Sequence, residues 1–207
     1  MPDDQDAVTA SGASSGEEEA RTGRPSRLER WIPDRGTRRV VEWVALIALA
    51  LGVAFLLRTF VVQSFFIPST SMTPTLEVGD RVLVNKLAYR FGDPDRGHIV
   101  VFEAPPGEGS AEVKDLIKRV IGLPGETVEG KDGAIFINGR RLDEPWLPDG
   151  VQSRTFGPEQ VPEGHYWMLG DNRLDSRDST FFKSVPRNSM IGRAFVRIWP
   201  LSNLSGL

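Results

Sequence analysis

A serine and a lysine can together cleave an amide bond if the lysine is neutral enough to take the serine's proton. An ordinary lysine titrates near ~10.4, so such a base must be desolvated by apolar surroundings. Lys118 meets this demand better than any other lysine in the chain. In the run Asp115–Ile121, a period of two puts Lys118 on one strand face with Leu116 and Val120. A lysine so placed lies either at a sheet rim or in a desolvated site, and the pattern alone favours the rim. Ser71 is the matching serine, within Ile67-Pro68-Ser69-Thr70-Ser71-Met72-Thr73-Pro74-Thr75-Leu76. Pro68 and Pro74 stiffen the backbone on either side. The small hydroxyl residues leave room for a substrate strand and supply donors for an oxyanion. Read alone, the stretch is more simply a Ser/Thr-rich linker.

Other chemistries lack their residues. The chain has no cysteine, which excludes thiol catalysis, thiolate metal sites and disulfides. Its two histidines, His98 and His165, stand at a strand start and in a turn, outside any nucleophile-elbow pattern. Asp171, Asp175 and Asp178 invite a calcium reading, but their spacing does not match the alternating ligands of an EF-hand loop. There is no phosphate-binding glycine loop, and a net charge of -3 argues against a nucleic-acid surface. Neither a metal nor a cofactor is expected.

The elements that would position the pair follow from charge and hydropathy. Residues 1–20 hold six acids and no Lys or Arg, in a stretch too poor in apolar groups to order itself. Residues 21–39 hold seven arginines. Val40–Leu57 is then apolar except for Glu42, which is expected in the first helical turn. Eighteen helical residues span ~27 Å, just enough for a bilayer core. The arginine excess before this span orients the N-terminus towards the cytoplasm. A cleavable leader would have a shorter apolar region and small residues at its exit, where this chain has Arg58-Thr59-Phe60. The expected organisation is a disordered cytoplasmic tail (1–39), a transmembrane helix (40–57), an interfacial tether (58–66) and a β-rich domain (67–207).

Beyond Ile67, turn residues separate short β-branched and aromatic runs: Arg81–Asn85, His98–Glu103, Asp115–Ile121, Ala134–Ile137, Tyr166–Leu169 and Ala194–Trp199. Glu129–Gly133 and Asn138-Gly139 read as hairpin turns, the latter of type I′. Short helices are expected within Leu76–Tyr89 and after Asp178. The fold class is therefore mostly β, with one N-terminal transmembrane helix followed by an antiparallel β-sheet catalytic domain.

With these residues assembled, the chain resembles the bacterial type I signal peptidases over roughly Arg58 to Pro200. The resemblance rests on ordered motifs: Pro68–Leu76, Gly79-Asp80-Arg81-Val82-Leu83-Val84-Asn85-Lys86, and Ile117-Lys118-Arg119-Val120-Ile121-Gly122-Leu123-Pro124-Gly125-Glu126. Gly170-Asp171-Asn172-Arg173, Asp175–Ser179, Val185-Pro186 and Ile191-Gly192-Arg193-Ala194 complete it. It implies a membrane-anchored serine endopeptidase that removes signal peptides from exported precursors after small residues, with the bilayer as its other partner. By position, Ser71 would be the nucleophile, Lys118 its base and Ser69 an oxyanion donor beside the Ser71 N–H. Ser176 would hold the Lys118 amine, and Asp178 would support it by pairing with an arginine such as Arg119. Ile67, Pro68, Val82 and Ile117 would line the pocket. The implied location is a bacterial plasma membrane, crossed once, with the catalytic domain outside. Leu174, Thr180 and Lys183 depart from the family pattern, and Arg177 is a candidate to replace the arginine lost at Thr180. The competing class is a non-catalytic, anchored β module that binds exported chains.

Overall fold

The computed structural model describes residues 35–108 and 114–207, apart from the side chains of 35 and 56–60. The acidic tail and most of the arginine-rich stretch lie outside the described residues. The first element is a 26-residue helix, α1 (Arg35–Phe60). It begins before the expected span, so Glu42 falls well inside it instead of in the first turn, and pairs with Arg38 at 3.3 Å. Its described large apolar residues from Val40 to Phe55 are 47–67% exposed, on every side of the helix. Among the described residues no helix is long and apolar enough to cross a membrane. The expected span Val40–Leu57 ends at Leu56 and Leu57, whose side chains are not described.

Twelve strands follow among the described residues: β1 (Val62–Phe66), β2 (Arg81–Asn85), β3 (Ile99–Glu103), β4 (Asp115–Gly122), β5 (Thr127–Lys131) and β6 (Ala134–Ile137), then β7 (Arg140–Arg141), β8 (Phe156–Gln160), β9 (His165–Leu169), β10 (Val185–Pro186), β11 (Met190–Trp199) and β12 (Ser205–Gly206). Between β9 and β10 lies the four-residue helix α2 (Ser179–Phe182). The larger sheet has the order β1-β2-β11-β3-β4-β9-β10, with β12 on β11, and the smaller one β7-β6-β5-β8. All their pairings are antiparallel.

Strand β3 shows why the larger sheet is central. Its run Ile-Val-Val-Phe does not alternate because both faces are covered. Ile99 and Val101 pack with Met72, Leu76, Val82 and Val84, while Val100 and Phe102 pack with Val120, Tyr166 and Met168. A third cluster joins the sheets: Ile121, Trp167 and Leu169 of the larger meet Val128 and Ile135 of the smaller. Gly122 makes this junction possible, since a Cβ there would overlap the side chains of Val128 and Trp167.

Three expectations need correction. Leu76–Tyr89 forms no helix; its Val82 and Val84 alternate into the core as part of β2. The turn expected over Glu129–Gly133 is confined to Asp132-Gly133, both with positive φ, because Glu129–Lys131 pair with β6. Asn138 and Gly139 also have positive φ (51° and 77°), as a type I′ turn requires. Val62–Phe66, read as tether, is an edge strand bonded to β2.

Candidate active site

Ser71 sits in a single 3-10 turn, Thr70–Met72, entered from extended Ser69. The turn is pinned from beneath by Met72 and Leu76, both fully buried, and Leu76 N–H donates to the Met72 carbonyl. From the far side the loop after β9 grips its carbonyls. Asn172 N–H donates to Ser71 O at 3.1 Å and Asn172 Nδ2 to Thr70 O at 3.2 Å. Two segments about a hundred residues apart in the chain thus form one wall. Gly170 permits the contact, because a Cβ there would overlap Ser71 O and the Ser176 hydroxyl.

Lys118 comes from the opposite wall, β4. Its Nζ lies 2.6 Å from Ser71 Oγ, and both residues are buried. No carboxylate pairs with Lys118 among the described residues. Burial pushes its pKa down to about 8, against the opposing pull of Asp178 and Asp171. Ser69 Oγ is 3.3 Å from Ser71 Oγ.

Its neighbour Arg119 is bound quite differently. It forms two bonds to Asp171, Nε to Oδ1 at 2.8 Å and Nη2 to Oδ2 at 2.6 Å. It also donates to Gly97 O at 2.7 Å and lies over the Trp146 ring. Thr75 Oγ1 donates to the same Asp171 carboxylate at 2.5 Å, so this pair braces the segment just after Ser71.

The expected pairing of Asp178 with Arg119 is therefore not formed. Asp178 instead caps α2, accepting from Thr180 N and from Thr180 Oγ1 at 2.8 Å, and it also accepts from Gly170 N at 3.1 Å. Thr180 hydroxyl takes the place that an arginine was expected to fill. Arg177 does not replace that arginine either, since its guanidinium is held by Glu108 at 2.9 Å through two bonds. The Ser176 hydroxyl is buried and makes no hydrogen bond among the described residues, so the expected bond to Lys118 is absent while the amine points at Ser71.

A cleft of about 480 Å³ opens over the pair, lined by Pro68, Ser69, Thr70, Leu116, Ile117, Asp115 and Asp175 besides Ser71 and Lys118, with Glu108 and Arg177 at its side. Of the four expected pocket residues, Pro68 and Ile117 line it. Ile67, just after β1, and Val82 of β2 are 2% and 0% exposed and belong to the core beneath, where they pack with Met72 and Leu76. The sequence reading missed Thr75, Asp171 and Asn172 as braces of the serine turn. Their signal was the conjunction of Gly170-Asp171-Asn172 with an arginine directly after Lys118.

The signal peptidase family, peptidase S26, matches residues 40–199. The chain belongs to this family. A signal peptidase I of Leptolyngbya laminosa is 45% identical over 171 residues, covering 81% of this chain and 84% of its own. A signal peptidase IB of Staphylococcus aureus (strain COL) is 35% identical over 182 residues, covering 80% of this chain and 92% of its own. A crystal structure of a signal peptidase I from Enterococcus faecalis V583 shares 34% identity and a TM-score of 0.41, covering 49% of this chain and 97% of that one. Membership makes the chain a serine endopeptidase.

Proposed function

We propose that the protein cleaves signal peptides from exported precursors, after small residues, with Ser71 as nucleophile and Lys118 as its base. One observation carries this reading: the 2.6 Å line between Lys118 Nζ and Ser71 Oγ in a buried site where, among the described residues, no carboxylate pairs with the amine. With the amine neutral, Ser71 O–H donates along that line and Lys118 takes the proton as the oxygen attacks the scissile carbonyl. The oxyanion that forms is met by the Ser69 hydroxyl and by the Ser71 N–H, which has no acceptor within its own turn. The proton on Lys118 then passes to the leaving amine, and the neutral lysine activates water against the acyl-enzyme. Ser176 accepts an N–H of the amine during this exchange, and Asp178 holds the loop that carries it.

Substrate enters as an extended strand. Strand β9 pairs with β4 only from Arg119 onward, leaving the Asp115–Lys118 edge open on that side, along the cleft. A precursor segment laid there gains backbone bonds, while Pro68 and Ile117 limit the side chain before the cleaved bond.

The reading includes a membrane anchor. The helix α1 exposes apolar side chains all round, and Leu56-Leu57 extend its apolar run to Val40–Leu57. Arginines before the run favour a cytoplasmic N-terminus and a catalytic domain outside a bacterial plasma membrane. The test is cleavage of a reporter precursor by the detergent-solubilised full chain beside Ser71→Ala and Lys118→Met. Cleavage after a small residue, lost in both folded variants, is expected; full activity in either removes that residue from the mechanism.

A further inference from the structure

The loop Leu174–Arg177 carries the Ser176 hydroxyl, the one buried hydroxyl without a hydrogen-bond partner among the described residues. It faces Gly170 and the Ser71 carbonyl, so its position is a matter of loop placement. Of the loop's own side chains, Leu174 is 58% exposed and Asp175 is also exposed, while Arg177 ties its far end to Glu108. The grip on its carbonyls comes from elsewhere. Arg154, between β7 and β8 beside the smaller sheet, donates Nη1 to Ser176 O at 3.0 Å and Nη2 to Leu174 O. Its guanidinium also lies over the Phe181 ring, 4.9 Å from the centroid, and Arg177 lies 5.4 Å from the same ring. A single planar fork thus spans two carbonyls and is held flat by an aromatic face, a geometry that a lysine cannot reproduce.

We propose that Arg154 is a positioning residue for the proteolytic reaction: by holding the carbonyls of Leu174 and Ser176, it fixes the loop that presents the Ser176 hydroxyl to the Ser71 and Lys118 site. The proposal rests on the Ser71–Lys118 reading above. The segment leading into β8 of the smaller sheet then acts on the reaction through this side chain. Loosening the loop moves the Ser176 hydroxyl and admits water to the lysine. Misplacement of this order lowers turnover about 10- to 100-fold. Water also lessens the desolvation of Lys118, so the rising limb of the pH profile moves to higher pH.

The experiment compares the full chain with Ser71→Ala, Arg154→Ala and Arg154→Lys on one reporter precursor, with a thermal melt of each. Arg154→Ala is expected to lose kcat about 10- to 100-fold, hold KM within about twofold, and shift the pH limb upward. Arg154→Lys keeps the charge but not the double grip, so it is expected to resemble Arg154→Ala. It decides the matter alone if the alanine variant does not fold. Parental kcat and pH limb in folded Arg154→Ala, a change confined to KM, or full rescue by lysine would each overturn the proposal. An active parent with inactive Ser71→Ala leaves the dyad reading standing in those cases. Cleavage by Ser71→Ala would sink both.

Discussion

Lys118 and Arg119 are adjacent cations on one strand, both nearly inaccessible to solvent, and they have opposite fates. Arg119 meets a carboxylate through two bonds, a carbonyl and an aromatic face, so its charge is satisfied and fixed. Lys118 meets a serine hydroxyl and, among the described residues, no ion-pair partner, and its pKa falls to about 8. Burial alone does not make a base. Burial without a paired carboxylate brings a lysine's pKa towards working pH, because little offsets the desolvation of the ammonium. On the proposed reading, the strand separates a structural cation from a catalytic one by a single residue.

The strongest way to break this contrast is at Lys118 itself. Lys118→Met and Ser71→Ala are each expected to lower cleavage ~10⁴-fold or more, as loss of one member of a nucleophile–base pair does elsewhere. The surviving enzyme is expected to gain activity as pH rises through about 8, since only neutral Lys118 accepts the proton. A rate that stays flat from acidic to alkaline pH would mean that another group is the base. Ser69→Ala is expected to lose ~10²–10³ in kcat, the usual cost of one oxyanion donor; an unchanged kcat would leave the Ser71 N–H as the sole donor.

Arg119 is expected to respond in stability. Asp171→Asn leaves a buried guanidinium without its carboxylate, which costs roughly 3–5 kcal/mol. A thermal melt should fall by about 10 °C for a chain of this size. Lys118→Met should do the reverse at pH 7. With its folded pKa near 8 against 10.5 unfolded, Lys118 binds more protons in the unfolded state between those values. Stability therefore rises with pH across that window, and below it the burial penalty is fully present, roughly 3 kcal/mol at most. The methionine variant is expected to melt above the parent at pH 7, with the gap closing towards pH 10. Equal melts at every pH would show that Lys118 titrates normally.

How much of this contrast was legible in the sequence follows from the same physics. Ser71 and Lys118 stood out only through the ordered motifs of the resemblance, since their local patterns alone favoured a linker and a sheet rim. Six of the strands could be read because local patterns carry them, period-two apolar positions and turn residues. The large sheet's order could not, since β11 inserts between β2 and β3 across about ninety residues of chain. The partner of Arg119 was misjudged for a related reason. Asp171 and Asp178 both lie in the loop region after β9, and only the packed loop shows that Thr180 satisfies Asp178 and leaves Asp171 for the arginine. Strands β5 and β8 escaped notice because Glu129-Gly130-Lys131 and Gly157-Pro158-Glu159 carry turn-forming residues that pairing overrides.

A third cation sharpens the comparison at its weakest end. Lys183 is exposed, pairs with Glu159 at 2.5 Å, and follows α2 with φ 67° and ψ -165°. That backbone region is essentially reserved for glycine and costs about 1–3 kcal/mol for a residue with a Cβ. The ion pair returns only ~0–1 kcal/mol, because both side chains meet solvent. Glycine relieves the strain but adds freedom to the unfolded chain, a countervailing cost of up to ~1 kcal/mol. Lys183→Gly is therefore expected to raise stability by about 1 kcal/mol or less and to leave the pH profile of cleavage unmoved. Here the charge is incidental and the backbone dominates. A clear loss of stability, largest at low salt, would show instead that the exposed pair contributes more than its strained backbone removes.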